Sequence, residues 1–514
     1  MQPMRNSARN HTVVLGASMA GLGIARALSK HFDRVTLVER DVLPEGLELR
    51  KGVPQAEHAH GLLASGYRVL DEYFPKLFDE LTEAGAIRGD VTGDFLWYQY
   101  GRWKLRADCG LGGIVLSRLL LEATVRRHVR ALPNVTVRDG HDAEAPVFDP
   151  EKGRVTGVRV KNRSTSESTT LDADLVIDAS GRGSPAPKWL SSWGFGDVAE
   201  ESVKIDVGYA TAIFRRRPGD LFGSMGAIIA GTAPASKRYA AVLGAEGLRW
   251  VITMVGALRD YPPTDVVGWK EFARTLPTPD VFRMVEDREP LVPIVSYRFP
   301  ANRRRRYSRL ARFPAGFLVT GDAVCSFNPL YGQGMSVALC QARALDTVLA
   351  EGDESLATRF FAKVDALIEG PWAIATGEDL RYPDVEGPRS AGFRIISRYL
   401  ERAHHVASRD PVVLRRFFEV GNLLAPPTAL LAPAMALRIL LGGRGTRKHL
   451  RTIVGNHAGI DVQVGAEHRQ ARRLLQRNAH PGLLGATQAL IFSVQHRAAP
   501  YFFLVSLSET FSLA

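Results

Sequence analysis

The chain has 514 residues, 45% hydrophobic and 23% charged, with a formal net charge of +12. That is the size of two or three domains with ordinary globular cores, and it excludes a disordered or low-complexity chain. Three cysteines (Cys109, Cys325 and Cys340) and a start without an apolar signal region argue against a disulfide framework and for a reducing, cytoplasmic setting.

Residues 1–11 read as a flexible polar tail. Val13 to Leu15 read as a buried strand, Gly16-Ala17-Ser18-Met19-Ala20-Gly21 as a tight turn, Leu22 to His31 as a helix, and Arg34 to Val38 as the next strand. That strand ends in Glu39, 18 residues after Gly21. A strand, a Gly-rich turn, a helix and an acid at this spacing form a dinucleotide-binding turn. Free N–H groups at the helix start suit a pyrophosphate, and the acid suits a ribose hydroxyl. Ser18 replaces the usual second glycine and, being small, reads as tolerated.

Arg50 to Phe74 begins RKGVPQAEHAHGLL and continues with apolar residues at helical spacing. Asp94 to Leu105 is an aromatic-rich strand, where Trp97, Tyr98, Tyr100 and Trp103 are either pocket wall or core. Ser117 to Leu132 reads as a Ser-capped helix. Val135 to Val137, Arg154 to Val160 and Leu175 to Asp178 read as strands, the last opening the loop Asp178 to Ser184. Ile205 to Phe214, Ala227 to Ile229, Tyr239 to Leu243 and Trp250 to Val255 read as strands of an antiparallel sheet. Arg303 to Arg306 read as a solvated arginine face, with capture of an NADPH phosphate, an acidic partner or an acidic carrier protein as functional alternatives.

Residues 316–338 read GFLVTGDAVCSFNPLYGQGMSVA. A strand ends in Gly321-Asp322, a polar loop follows, and Gly332-Gln333-Gly334 opens a helix. The aspartate suits a polyol hydroxyl, and the helix start suits a ring that becomes negative on reduction. A flavin has both parts. From about Ala338 the chain reads as helical to its end, with no assignment beyond about Gly455. Gly421 to Leu437 is broken by Pro426, Pro427 and Pro433, so it reads as kinked packing rather than a membrane span. It and the apolar tail Tyr501 to Ala514 are candidates for weak membrane-surface contact. No zinc spacing or nucleic-acid signature is present, so neither a metal site nor a nucleic-acid partner is expected.

GASMAG with Glu39, SRLLLEA, DLVIDASGRGS and GDAVCSFNPLYGQGMSVA, in that order, resemble the class A FAD-dependent monooxygenases of p-hydroxybenzoate hydroxylase fold over about residues 12–350. RKGVPQAEHAHGLL and the segment FPANRRRRY more particularly resemble the bacterial flavin epoxidases that act on polyene precursors of polyether antibiotics. The resemblance implies an α/β fold: a Rossmann-like FAD-binding domain (12–90, 106–198 and 297–350), an inserted antiparallel-sheet substrate domain (91–105 and 199–296) and a helical C-terminal region (351–514). It implies that Gly16, Ser18 and Gly21 meet the pyrophosphate and Glu39 the ribose. Arg118 reaches the phosphates, Asp178 and Gly181 belong to a second supporting loop, and Asp322 holds the ribityl or pyrophosphate region. Pro329, Gly332, Gln333, Gly334 and Met335 line the ring. Arg40, Arg50 and Gln55 are further cofactor contacts. Cys325 and Asn328-Pro329 depart from the commoner histidine and double proline, away from phenol hydroxylases.

The activity implied is epoxidation or hydroxylation of an apolar, unsaturated polyketide- or terpenoid-like substrate in secondary metabolism, through a flavin C4a-hydroperoxide formed from O2. No second dinucleotide turn is visible, so NAD(P)H serves either directly or through a flavin reductase. No catalytic residue is certain; His58, His60 and Tyr209 are the candidates, each also readable as structural. The rivals are an aromatic hydroxylase, a prenyl-chain reductase, a halogenase and a non-catalytic flavin- or lipid-binding protein. Trp189 to Trp193 does not match the halogenase WxWxIP motif.

Overall fold

The structure is a computed structural model that describes residues 9–442. The expectations for residues 1–8 and for everything after 442, including Tyr501 to Ala514, lie outside the described residues.

Five strands form a parallel sheet in the order Phe317–Val319, Leu175–Asp178, His11–Leu15, Arg34–Val38 and Val135–Arg138. The central strand, HTVVL, and its neighbour, LVID, are buried along their whole length, which is why they read as apolar runs without alternation. The first strand begins at His11, and Asn10 N donates to Asp174 Oδ2. Arg9 pairs with Asp353 at 2.6 Å. The last residues assigned to the tail are thus tied to the sheet. The helix Met19–Leu28 follows the turn at Gly16 and packs on the helix Gly334–Glu351.

A second sheet runs Cys325–Ser326, Val295–Arg305, Glu200–Arg215, Arg249–Gly256, Arg238–Ala245, Gly226–Ile229, Phe95–Gln99 and Arg102–Trp103. It is antiparallel except where Gly226–Ile229 runs parallel to Phe95–Gln99. Its far face is covered by two helices that the sequence reading placed within the sheet region, Val266–Arg274 and Asp280–Val285. Trp269 there is fully buried and donates to the Ala210 carbonyl at 3.1 Å.

Helices Leu356–Asp379, Phe393–Ala407, Pro411–Gly421 and Pro433–Leu440 follow. Trp97 meets Phe417 and Phe418 edge-on, Tyr100 packs on His404, and Tyr98 on Trp103. The aromatic strand is therefore core. The solvated arginine face is also corrected: Arg304 is completely buried against Asp365 and Glu369, Arg305 pairs with Glu200, and Arg306 with Glu201. These arginines face acids on a neighbouring strand and helix, so the run is no free surface for an acidic carrier.

Candidate functional site

The carboxyl ends of the parallel strands open into a cavity of about 620 Å³ that reaches the near face of the second sheet. Gly16, Ser18, Glu39, Arg40, Arg50, Gln55, His58, His60, Arg118, Gly181, Tyr209, Asp322, Pro329, Gly332, Gln333, Gly334 and Met335 all line it. Gly21 and Asp178 do not. Gly21 lies under the turn, where an added Cβ would fall 1.8 Å from the Gly16 carbonyl oxygen. Gly16 has φ +103°, and its own Cβ would strike the Ala179 carbonyl. Asp178 is wholly buried and accepts from Ser180 N and the Ser184 hydroxyl. It shapes the loop that presents Gly181 and Arg182.

Ser18 has a specific place. Its hydroxyl accepts from Arg118 Nη2 at 2.9 Å and donates to Glu122 Oε2 at 3.2 Å. Glu122 also takes Arg118 at 2.8 Å and Arg50 at 2.6 Å. Although burial opposes its ionisation, the Arg118 and Arg50 guanidiniums hold Glu122 down to about 2. Arg50 reaches on to Glu39 at 3.1 Å, and Glu39 accepts from Ala17 N at 2.8 Å. The turn, the acid after the second strand and two distant arginines thus form one charged knot at the cavity floor. Sequence reasoning missed Glu122, although its i,i+4 spacing from Arg118 was a signal. It also missed Arg182, which lines the cavity, donates to the Ser326 hydroxyl and lies 4.9 Å from the centre of the Phe299 ring.

Across the cavity, the loop Asn328 to Gly332 is held from behind. Tyr209 OH donates to Asn328 Oδ1 at 2.6 Å and accepts from Leu330 N at 3.2 Å. Asp379 accepts from Tyr331 OH at 2.8 Å, Asn302 Nδ2 at 2.6 Å and Asn328 Nδ2 at 3.1 Å. Burial pushes the Tyr209 phenol well above its ordinary range and Asp379 up to about 6. Tyr209 is thus built as a neutral clasp on the loop. The His60 Nδ1–H donates to the His58 carbonyl at 2.9 Å, and burial lowers His58 to about 4 and His60 to about 3. Burial thus disfavours the charged imidazolium at both positions.

The donor set fits a flavin dinucleotide. The helices starting at Met19 and Gly334 point their N-termini into the cavity. Among the described residues, a Cβ on Gly181 would meet nothing within 4 Å, and one on Gly334 would meet only Asp322 Oδ1, at 4.0 Å. Gln333 Oε1 is buried with no partner among the described residues, an acceptor suited to a ring N–H. Among the same residues no helix is long and apolar enough to cross a membrane.

No protein-family model matches the chain. Protein Rv3254 of Mycobacterium tuberculosis is 31% identical over 451 residues, covering 84% of this chain and 94% of that one. The chain belongs to the family of that protein. Among solved structures, p-nitrophenol 4-monooxygenase PnpA of Pseudomonas putida superposes with a TM-score of 0.58 at 17% identity, covering 81% of this chain and 98% of its own. PqsL, "a probable FAD-dependent monooxygenase from Pseudomonas aeruginosa", gives 0.54 at 18%, covering 72% and 98%. The flavin-dependent brominase Bmp2 gives 0.59 at 13%, covering 86% and 100%. At these identities the likeness is one of fold, and it is the mixed α/β fold expected from the motifs.

Proposed function

We propose that this member of the Rv3254 family is an FAD-dependent monooxygenase that epoxidises or hydroxylates an apolar, unsaturated substrate. The observation that carries the reading is the convergence of three separated motifs on one cavity: the turn at Gly16, the loop at Gly181 and the segment Asp322 to Met335. A fold shared with flavin enzymes supports it.

When bound, FAD would supply O2 activation, with NAD(P)H oxidised, one oxygen atom entering the substrate and the other leaving as water. The chain's part is to bind, orient and exclude water. Ser18 and the Met19 helix start take the pyrophosphate, Glu39 the adenosine ribose and Asp322 the ribityl region. Gly332 to Met335 flank the ring, where the helix dipole favours negative charge. Tyr297, Phe299 and Val255 give the reacting end of the substrate an apolar wall. Burial lowers His58 to about 4 and His60 to about 3, which leaves both weakly basic toward a phenol proton and favours an alkene, which needs no deprotonation.

The test is the visible spectrum of the purified protein, recorded anaerobically before and after NADPH, followed by O2 uptake with a polyene. Bound flavin and polyene-dependent uptake are expected. Bleaching by NADPH alone marks direct reduction, and bleaching only with an added flavin reductase marks a partner. No uptake with either reductant sinks the monooxygenase reading.

A further inference from the structure

The near face of the second sheet continues past the flavin cavity. Cross-strand neighbours share a face, and three successive ranks are set by the register. The first holds Tyr297, Tyr209 and Val255, the second Val295, Thr211 and Thr253, and the third Ile213, Val251 and Leu243. The first rank lines the cavity described above. The third lines a separate cavity of about 410 Å³, within the size range of small-molecule sites.

The second rank is the divide. The segment His58 to His60 lies across it and borders both cavities. His58 Nδ1 is 2.7 Å from the Thr211 hydroxyl, Ala59 N donates to the Thr253 hydroxyl at 2.9 Å, and the two hydroxyls bond each other at 2.6 Å. One sheet-face groove is thus partitioned by a short strap resting on two threonines.

The outer cavity is mostly apolar in its walls, and most of its charges are already paired. Glu246 accepts from Ser117 N at 3.0 Å and from Arg249 at 2.6 Å. Arg118, on the same border, is bound to Glu122. Glu57, half-buried on the border, has no ion-pair partner among the described residues, while no unpaired cation is offered to an anionic ligand there. At the mouth stand Leu47, Leu49 and Val292, which are 43%, 49% and 46% exposed. Apolar side chains in water around an apolar hole mark a ligand entrance better than a scattered surface does.

We propose that this outer cavity is a binding site for the neutral hydrocarbon chain of the substrate, with the strap as the threshold it crosses to reach the flavin cavity. The substrate class deepens the monooxygenase reading and rests on it, but the site itself is testable without turnover.

The experiment is equilibrium dialysis of tritiated farnesol, a neutral unsaturated chain, against the purified full-length protein, with flavin content measured on the same sample. The variants are Leu243→Trp, which fills the cavity, and Val292→Asp, which charges its exposed rim and does not disturb the core. Saturable binding is expected, weakened about tenfold or more in both variants, with thermal midpoint and flavin content unchanged. Unchanged affinity in Val292→Asp and in a folded Leu243→Trp overturns the proposal, as does flavin-loaded wild type that binds no farnesol, which leaves the cofactor reading standing. Farnesol binding that the variants weaken in a protein without flavin supports the site and removes the cofactor reading.

Discussion

Glu122 carries more of the site than any residue of the glycine turn. It is 5% exposed and faces two guanidiniums, so truncating it leaves Arg118 buried without its ion-pair partner and Arg50 dependent on Glu39. Glu122→Ala should cost about 3–5 kcal/mol of unfolding free energy in urea titration; a loss under about 1 kcal/mol would contradict the knot. The sign with pH follows from its depressed value. The contribution is present above the unfolded value of 4.5 and is lost as pH falls through about 2. Asp322 lies on the cavity wall beside Gly334, and the proposed function gives it the ribityl region of the cofactor. Asp322→Ala should weaken flavin retention by about 1.5–3 kcal/mol, the worth of one charge-assisted hydrogen bond, with little effect on folding. Full flavin occupancy after extended dialysis would refute that assignment. Most of the candidate residues named from the sequence line the cavity, because glycine turns and Gly-Asp strand ends are local signatures. Arg50 meeting Glu122 from 72 residues away was not legible, since no local pattern encodes it. Ser18 looked like a tolerated loss of glycine, and its hydroxyl proves to be a bridge between Arg118 and Glu122.

At the scale of elements, the helix Leu356–Asp379 is what fixes the loop Asn328 to Gly332. Its last residue, Asp379, receives three side-chain hydrogen bonds, two of them from that loop and one from Asn302 on the sheet. Burial raises its folded value from 3.8 to about 6, so the fold prefers the protonated form. Its contribution is therefore present below the unfolded value and lost as pH rises through about 6. Asp379→Asn cannot titrate. The stability of wild type relative to that variant should fall by roughly 2–3 kcal/mol between pH 4 and pH 7. A difference that stays constant over that range would remove the assignment of Asp379 as the titrating anchor. Short apolar strand runs and the long capped helix after Ser117 were readable from the sequence. The helices Val266–Arg274 and Asp280–Val285 were not, being short, half-exposed and set between strands. The arginine run was read as surface because its partners, Asp365 and Glu369, lie about 60 positions on, and only folding brings them to the strand.

For the molecule as a whole, that arginine run joins the second sheet to the helical layer, and the described residues fall in one compact unit. Arg304 sits at the junction with no exposed surface, and among the described residues its Nε and Nη1 have no hydrogen-bond partner. Its desolvation is therefore only partly offset by Asp365 and Glu369, each at 2.9 Å. The two acids are in a different position: their side chains are 23% and 60% exposed and can turn to water. Removing the cation strands no buried charge, whereas removing an acid leaves a buried guanidinium short of its counter-charge. The ion pair is thus asymmetric, and the two halves of it should respond differently. Arg304→Met, which keeps most of the volume, should change the unfolding free energy by less than about 1 kcal/mol or raise it. Asp365→Ala should lower it by about 2 kcal/mol or more. Urea denaturation of both variants, followed by tryptophan fluorescence, decides the point. If Arg304→Met proves as damaging as Asp365→Ala, the arginine is a net stabiliser of the junction, and its two unpartnered nitrogens cost less than burial implies.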